Sequence, residues 1–368
     1  MDTLITNIGH LFSAHIQVSS EPHTEAPSAA PQEILIQAGR IRSVLPVGSH
    51  DGADLVIDAE GGAVMPGFVD AHAHLCEHGE MPELGVLEAC LRHRLAQGIT
   101  TTEIKASGAG DPERGVDELR LLHELRDRTP VRLVSTFTAE IVDCEGRATG
   151  ERVARMIGET IPRLRRAKLA HFFDARVPDC RSAQHEIRSV LRAARGAGFR
   201  LKLHLAEQDQ AEAIRLAVGV EACSVDHARM LSSGELKSLR RIGTTPVLLP
   251  LADDGCSHHL EYPDGEQEQH GIAIGSDYDF SRGGIESPWV LESMAVCAGW
   301  SFDAAMAAVT SHAASALDLD ADVGTVEVGK MADLLVLEGP EPREATWRAG
   351  RNPVRMVLIN GRVVSECR

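Results

Sequence analysis

The feature that most constrains the fold is a repeated alternation of short apolar runs with amphipathic segments across the middle of the chain. The amphipathic segments carry apolar residues at helical spacing, as in 116–128, 150–166, 182–197 and 211–218. The predicted strands are 68–75, 100–105, 131–138, 169–175, 199–205, 222–227, 246–251 and 272–277. Eight such βα units predict a (β/α)8 TIM-like barrel, whose strands end at the active site. A doubly wound open sheet is the weaker alternative, because polar residues end one strand after another.

The two ends of the chain differ from the middle, because their apolar runs alternate with turns and not with helices. The predicted terminal strands are 4–8, 33–41, 55–59, 332–337 and 354–364, and 19–32 is predicted to be an exposed loop. Strands from both ends are expected to pair into one small β-sandwich domain. The sequence therefore predicts a composite domain of residues 1–64 and 322–368 around a barrel of residues 65–321.

Charge and hydropathy exclude several classes of partner. The chain has 54 Asp and Glu against 37 Lys and Arg, a net charge of −17, so a nucleic-acid backbone or an anionic membrane surface would repel it. The N-terminus lacks the basic and apolar regions of a secretory signal, and no apolar run approaches a membrane span. Eight scattered cysteines without C-x-x-C spacing favour free thiols. These observations predict a cytoplasmic protein that binds neither nucleic acid nor membrane.

The first barrel strand ends in two histidines, His72 and His74, separated by one residue. Side chains at i and i+2 of a strand point the same way, so both imidazoles can reach one ion. A single H-x-H is weak support for a metal site. The hypothesis of a metal site is strengthened because the ends of later strands also carry polar side chains, which a barrel would bring to the same mouth. These side chains are His204 and Glu207 on strand five, His227 on strand six and Asp277 on strand eight.

The motifs around these residues resemble those of the amidohydrolase superfamily and, within it, the imidazolonepropionase family. The segment 66–75, PGFVDAHAHL, is similar to the superfamily's metal-binding strand, and 98–105, GITTTEIK, is similar to the G-x-T-T-x-E-I-K of imidazolonepropionases. Further matches are 203–207, 225–227, 274–277 and 324–334. The resemblance implies a TIM-like barrel with a flanking β-sandwich, a small heterocyclic substrate and a homodimer.

The resemblance also implies the roles of individual residues. His72, His74, His204 and Asp277 would hold one divalent ion, Zn²⁺ or Fe²⁺, leaving a position for a water whose pKa the ion lowers towards ~7. Asp277 would also accept a proton from that water, Glu207 would carry a proton to a ring nitrogen, and His227 would polarise the carbon under attack. Strand four, 169–175, contains no lysine that could bridge a second ion, so one metal is expected.

Each assignment has a structural alternative. His227 could be a core histidine, and Glu207 could cap the helix after strand five. Lys105 could bind a substrate carboxylate at the mouth or pair with Glu103 or Asp174. The predicted substrate-binding residues are Lys105, Glu140 and Asp174.

The match is poorer around the substrate than around the metal. Imidazolonepropionases have an arginine soon after H-x-H-L, but this chain has Cys76-Glu77-His78-Gly79-Glu80 there. Ala109 stands where they have a ring-contacting tyrosine, and Glu140 follows strand three where they have a histidine. Acidic residues repel a carboxylate. The chain is therefore predicted to hydrolyse a neutral or cationic ring.

Two other functions fit the same residues. A deaminase would use the same metal site to release ammonia from an amidine carbon without opening the ring. A non-catalytic scaffold of the same fold would lose metal ligands, whereas all four are present here. Metal-dependent hydrolysis of a cyclic amide or amidine is the leading hypothesis.

Overall fold

The structure is a computed structural model of the 368-residue chain. It describes residues 2–13, 32–50, 52–77, 79–108, 111–142, 149–177, 183–206, 210–229, 231–250, 260, 271–346 and 351–366. Of the predicted loop at 19–32, residues 19–31 lie outside these ranges, and Gln32 is the first residue of a strand. Glu207, Ala109 and the histidine pair His258 and His259 also lie outside these ranges.

The central sheet is a parallel TIM-like barrel, as the alternation of segments predicted. Neighbouring strands pair in chain order from the second strand to the seventh. These six strands are β9 (Ile99–Ala106), β10 (Arg132–Ala139), β11 (Phe172–Val177), β12 (Arg200–Leu205), β13 (Ser224–Asp226) and β14 (Thr245–Leu248). Parallel order brings their C-terminal ends to one mouth.

The first and eighth barrel strands close the sheet, and each consists of two short pieces. The first comprises β7 (Phe68–Asp70) and β8 (Ala73–His74), and the eighth comprises β15 (Ala273–Ile274) and β16 (Tyr278–Asp279). β15 pairs with β14, whereas β16 pairs with β8. The eighth strand thus bridges the seventh and the first.

Continuous strands over 68–75 and 272–277 were expected, and this detail was wrong. Strand eight breaks at Asp277, which has a left-handed backbone with φ 52°. Just before it, a Cβ on Gly275 would lie only 2.8 Å from the Cβ of His72, so glycine permits this close approach. The backbone N–H of Asp277 donates to the carbonyl of His72, 3.0 Å away. The breaks therefore bring strands one and eight together at the mouth.

Helices surround the barrel, and most of them pack apolar residues against it. They are α1 (Leu84–Ala96), α2 (Pro112–Leu125), α3 (Gly150–Arg155), α4 (Ile161–Ala167), α5 (Gln184–Gly196), α6 (Gln210–Val220), α7 (Ser233–Arg241), α8 (Pro288–Cys297), α9 (Phe302–Ala308), α10 (Ser311–Ala316) and α11 (Arg343–Thr346). A short 3-10 turn, Arg126–Arg128, extends α2, and a π-helical turn, Met156–Thr160, joins α3 to α4. None of the described helices is long and apolar enough to span a membrane.

Strands from both termini form two smaller sheets. Their strands are β1 (Thr3–Thr6), β2 (His10–Leu11), β3 (Gln32–Gln37), β4 (Arg40–Pro46), β5 (Leu55–Asp58), β6 (Ala63–Pro66), β17 (Leu334–Leu337), β18 (Val354–Ile359) and β19 (Arg362–Glu366). One sheet has the order β4-β3-β1-β5 and the other β19-β18-β17-β6-β2. Apolar residues of both sheets share one buried cluster. The exact limits of this unit, 1–64 and 322–368, stay a prediction.

Two of the predicted terminal strands are hairpins. The run 33–41 turns at Ala38 and Gly39, both with positive φ, and separates β3 from β4. The run 354–364 turns in the same way at Asn360 and Gly361, between β18 and β19. Two consecutive left-handed residues match the twist of a two-residue hairpin, which explains both turns.

Candidate active site

His72 and His74 lie together at the barrel mouth with Asp277. Their Nε2 atoms are 3.0 Å apart. The Oδ1 atom of Asp277 lies 3.5 Å from the Nε2 of His72 and 3.3 Å from that of His74. Both histidines are buried. Strands one and eight thus direct three potential metal-ligand atoms to one point.

Two further imidazoles border this point. His204 ends β12, and His227 follows β13 with a left-handed backbone, φ 57°. The ring centroids of His204 and His227 are 4.2 Å apart, and those of His72 and His204 are 5.4 Å apart. A left-handed histidine is uncommon, and such conformations concentrate at functional sites. The structure therefore brings together five of the predicted site residues.

The chemistry of these side chains fits a divalent cation. Imidazole nitrogens and a carboxylate oxygen are ordinary Zn²⁺ ligands, and bonds of ~2.0–2.1 Å in a tetrahedron separate ligand atoms by roughly 3.3–3.4 Å. The separations of 3.0, 3.3 and 3.5 Å within the triad are close to that value. Several buried nitrogen atoms of the cluster also have no hydrogen-bond partner among the described residues. They are His74 Nδ1, His204 Nδ1 and His227 Nε2.

Burial governs the protonation of most of these imidazoles. It lowers the pKa of His72 and, aided by neighbouring positive groups, that of His204 well below the usual range. It also lowers the pKa of His227 to about 4. For His74, burial opposes protonation, but the hydrogen bond to Asp277 and the charge of Glu77 outweigh it and raise the pKa. Three of the four rings are therefore neutral at pH 7, the form that binds metals.

Asp226 holds His72 in place, a role that the sequence analysis missed. Its Oδ2 atom lies 2.9 Å from the Nδ1 of His72, and its Oδ1 accepts a hydrogen bond from the Ser224 hydroxyl at 2.9 Å. Burial alone would raise the pKa of Asp226, but Lys105, Lys202 and His72 outweigh it and lower that pKa well below its usual range. Carboxylates commonly orient metal-binding histidines. Its position one residue before His227 was the available signal.

A second buried carboxylate, Asp70, ties strand one to strand eight. Its Oδ1 accepts the backbone N–H of Ser276 at 3.0 Å, and its Oδ2 accepts the Ser276 hydroxyl at 2.6 Å. The buried guanidinium of Arg94, from α1, also donates to Asp70 and lies 4.4 Å from the ring centre of Tyr278. These bonds fix the segment that carries Asp277. The sequence gives no local sign of them, because the partners are far apart in the chain.

The rim of the mouth is less acidic than the sequence indicated. Arg176, near the end of β11, pairs with Glu77, and its Nε lies 3.8 Å from Glu140. Burial opposes the charge of Arg176, but the two glutamates outweigh it and raise the pKa. The three side chains are each about a quarter to a third exposed, whereas Glu80 is exposed outside this group. The sequence analysis missed Arg176 because it considered strand four only as a source of a lysine that could bridge two ions.

Two predicted substrate-binding residues lie inside the barrel. The Nζ of Lys105 is 2.8 Å from Asp174 and 2.7 Å from Asp226, and all three side chains are fully buried. Asp174 also accepts a hydrogen bond from the Thr138 hydroxyl at 3.1 Å. The structure thus favours pairing over substrate binding for Lys105, and it moves Asp174 into the same buried network. Of the three predicted substrate contacts, Glu140 lies at the rim, and the proposed role of Glu207 stays a prediction.

Curated relatives over most of the chain are imidazolonepropionases. The enzyme of Alkaliphilus oremlandii is 27% identical, with 90% of this chain and 87% of the relative covered. That of Symbiobacterium thermophilum is 29% identical, with 84% and 83% covered.

Solved structures share the fold at lower identity. An adenosine deaminase from Xanthomonas campestris with bound zinc has a TM-score of 0.67 at 19% identity, covering 98% of this chain and 92% of its own. The N-isopropylammelide isopropylaminohydrolase of Burkholderia multivorans has a TM-score of 0.71 at 17% identity, covering 100% and 98%. The model of the "Amidohydrolase family" matches residues 55–86 and 80–365. Since that match spans most of the sequence, the chain belongs to the amidohydrolase family.

Proposed function

We propose that this protein is a metal-dependent hydrolase that cleaves a C–N bond in a small cyclic amide or amidine, such as an imidazolone- or hydantoin-like ring. The observation that carries the proposal is the convergence of His72, His74 and Asp277, with ligand-atom separations of 3.0–3.5 Å, beside two more imidazoles. Family membership supports the reaction class. The imidazolonepropionase relatives support a cyclic amide as the substrate.

The proposed metal ligands are the nitrogens of His72, His74 and His204 and the carboxylate of Asp277. A Zn²⁺ or Fe²⁺ ion at this position would supply a water activated at neutral pH. One ion per chain is favoured, because β11, Phe172–Val177, contains no lysine to bridge a second.

Each proton transfer is proposed for a named side chain. Asp277, whose Oδ1 lies 3.3 Å from the Nε2 of His74, would accept the proton of the attacking water. His227 is neutral at pH 7, and its Nε2, which has no hydrogen-bond partner among the described residues, would donate a hydrogen bond to the carbonyl oxygen or ring atom that gains negative charge. The water oxygen bonds to the carbonyl or amidine carbon, the C–N bond breaks, and the departing nitrogen takes the proton from Asp277. Glu207 is the candidate to relay that proton.

The rim supports a ring without a carboxylate tail. Glu77 and Glu140 carry two negative charges against the single positive charge of Arg176, so the rim is net negative. An anionic tail would have to displace a glutamate from this guanidinium. A neutral ring can instead accept a hydrogen bond from the Nε of Arg176, which lies 3.8 Å from Glu140, beyond hydrogen-bond distance. We therefore propose a neutral or cationic heterocycle.

The experiment is a turnover panel with the zinc- and iron-loaded protein. Matched rings with and without a carboxylate tail, including 4-imidazolone-5-propionate, neutral imidazolones, hydantoins and aminated heterocycles, are incubated with protein. Mass spectrometry detects ring opening, and a coupled assay detects ammonia. An Asp277→Asn preparation made in parallel controls for contaminating hydrolases, because it keeps the side-chain shape but removes the proton acceptor.

We expect ring opening of a neutral or cationic ring, abolished in the Asp277→Asn protein. Ammonia release with the ring intact would instead favour the deaminase function. Best turnover of 4-imidazolone-5-propionate would contradict the proposed change of substrate. A metal-loaded protein that converts no ring would favour the alternative of a non-catalytic scaffold.

A further inference from the structure

Five ionisable side chains fill the polar interior of the barrel beneath the candidate metal site. They are Glu103, Lys105, Asp174, Lys202 and Asp226. All five are buried, and burying a charge is costly unless it is paired and hydrogen-bonded. Their short contacts divide them into two groups, which are joined by a longer separation of 3.8 Å between the Nζ of Lys105 and Glu103.

The first group surrounds Lys105. Its Nζ lies between Asp174 and Asp226, at 2.8 and 2.7 Å. The second group surrounds Lys202, whose Nζ is 2.6 Å from Glu103 but 3.9 Å from Asp226. Only the first group therefore makes a short contact with Asp226.

Asp226 links the first group to the metal site. Its Oδ2 faces both the Nζ of Lys105 and the Nδ1 of His72. An ionised carboxylate only accepts hydrogen bonds, so the Nδ1 of His72 must carry the hydrogen. The Nε2 of His72 then presents its lone pair towards His74 and Asp277, as a metal ligand must.

We propose that Lys105 is a positioning residue for the metal site. By anchoring Asp226 against Asp174, it holds His72 in the tautomer and orientation that bind a divalent cation. Without Lys105, the carboxylate of Asp226 is free to turn towards Lys202, which would weaken its bond to His72. The inference rests on the proposed function, because it takes His72 as a metal ligand.

Two double variants test this role with matched changes of charge. The double variant of Lys105→Met and Asp174→Asn removes one positive and one negative group. It also removes the short contact between Lys105 and Asp226. Lys202→Met with Glu103→Gln removes the same charges from the same interior and leaves that contact intact. Affinity for Zn²⁺ is measured by competition with a chromophoric chelator. The absorption spectrum of bound Co²⁺ reports ligand geometry, which a loss of stability alone would not change.

We expect the first double variant to bind Zn²⁺ about 10–100-fold more weakly and to change the Co²⁺ spectrum, since loss of such partners has that effect on metal affinity. The second should stay within about threefold of the unmodified protein and keep its spectrum. Circular dichroism checks that each protein is folded. If the first does not fold, Asp226→Asn replaces it, and a similar loss of affinity with a changed spectrum is expected.

Equal losses of affinity in the two double variants, or an unchanged Co²⁺ spectrum in the first, would overturn the positioning role. An unmodified protein that binds no Zn²⁺ and no Fe²⁺ would instead overturn the proposed function, and with it the inference. The two failures are distinguishable, because only the second affects the unmodified chain.

Discussion

The interior and the rim of the candidate site use charged side chains in different ways. In the interior, His72, Asp226 and Lys105 are joined by contacts of 2.7–2.9 Å and are fully buried. At the rim, Arg176 and Glu140 are 3.8 Å apart and about a third exposed. Removing one partner of a buried pair costs about 3–5 kcal/mol, whereas exposed pairs contribute about 0–1 kcal/mol. The rim can therefore change with little loss of stability, but the interior cannot.

This difference separates the reaction from the choice of substrate. The interior fixes the imidazoles and carboxylates that any metal-dependent hydrolysis at this site requires. In the proposed function, the rim would set the charge and hydrogen bonds that a substrate meets on entry. Variants of the interior and of the rim test this separation.

The largest effect is expected for His204→Ala in the metal cluster. The variant removes one of three proposed nitrogen ligands, so bound metal should fall from about one ion per chain to near zero. Activity should fall by about a thousandfold, because the activated water is lost. Elemental analysis and turnover of the best ring measure both changes. His123→Ala on the exposed face of α2 is the control, and full metal content in His204→Ala would contradict the ligand assignment.

The second prediction concerns the link between strands one and eight. Asp70→Ala leaves the buried guanidinium of Arg94 without its carboxylate partner, so the free energy of unfolding should fall by about 3–5 kcal/mol. Urea unfolding measures the change. Asp117→Ala, in an exposed pair with Arg120, should alter the same quantity by less than about 1 kcal/mol. Similar losses in both variants would remove the distinction between buried and exposed pairs.

A third prediction uses pH. The pKa of His227 is about 4 in the folded chain, against an ordinary value near 6.5. Between these values the unfolded chain binds a proton that the folded chain does not, so the free energy of unfolding falls as the pH is lowered through this window. In metal-stripped protein, His227→Asn should lose about 2 kcal/mol less stability than the unmodified chain between pH 7 and 4.5.

Urea unfolding at both pH values measures this difference. His123→Asn, at an exposed position, should follow the unmodified protein. A His227→Asn protein with an unchanged pH dependence would show that His227 is not held in its neutral form.

The smallest effect on stability is expected at the rim. Arg176→Met should change the free energy of unfolding by about 1 kcal/mol or less, because its pairs are partly exposed. It should raise KM for a neutral ring about tenfold, the value of one hydrogen bond to a charged group, and change kcat less. Steady-state kinetics on the best ring measure both constants. Arg128→Met, in surface pairs far from the mouth, is the control. A fall in kcat larger than the rise in KM would place Arg176 in the chemical step.

The barrel and the cluster of candidate metal ligands were predictable from the sequence because both depend on local spacing. Apolar runs of strand length recur with helical segments between them, and each strand end carries its own polar side chain. Because parallel strands end at the same mouth of the barrel, the positions of His72, His204 and Asp277 near the strand ends are enough to predict that they converge. The hairpins were missed because apolar residues continue across the turns. Asn360-Gly361 was the available signal, since that dipeptide favours a two-residue turn.

The interior network was only partly predictable, because its partners are distant in sequence. Pairing of Lys105 with Asp174 was one alternative that the sequence left open, but the contacts of Asp226 were missed. Asp226 and His72 are 154 residues apart, and Lys105 and Asp174 are 69 apart. Spacing indicates that Lys105 and Asp174 lie on barrel strands. It does not indicate which charged side chains lie at the same height along the barrel axis. The pairing of Arg176 with Glu77, 99 residues away, was hidden for the same reason. The sequence therefore predicted a more acidic rim than the structure shows.

The most direct test of the account is a metal titration of chelator-stripped protein, with ring opening of the best substrate measured at each addition of Zn²⁺ or Fe²⁺. The account predicts that activity rises linearly and stops at one ion per chain. Activity that persists in fully stripped protein, or that needs two ions per chain, would contradict the single-metal site of His72, His74, His204 and Asp277.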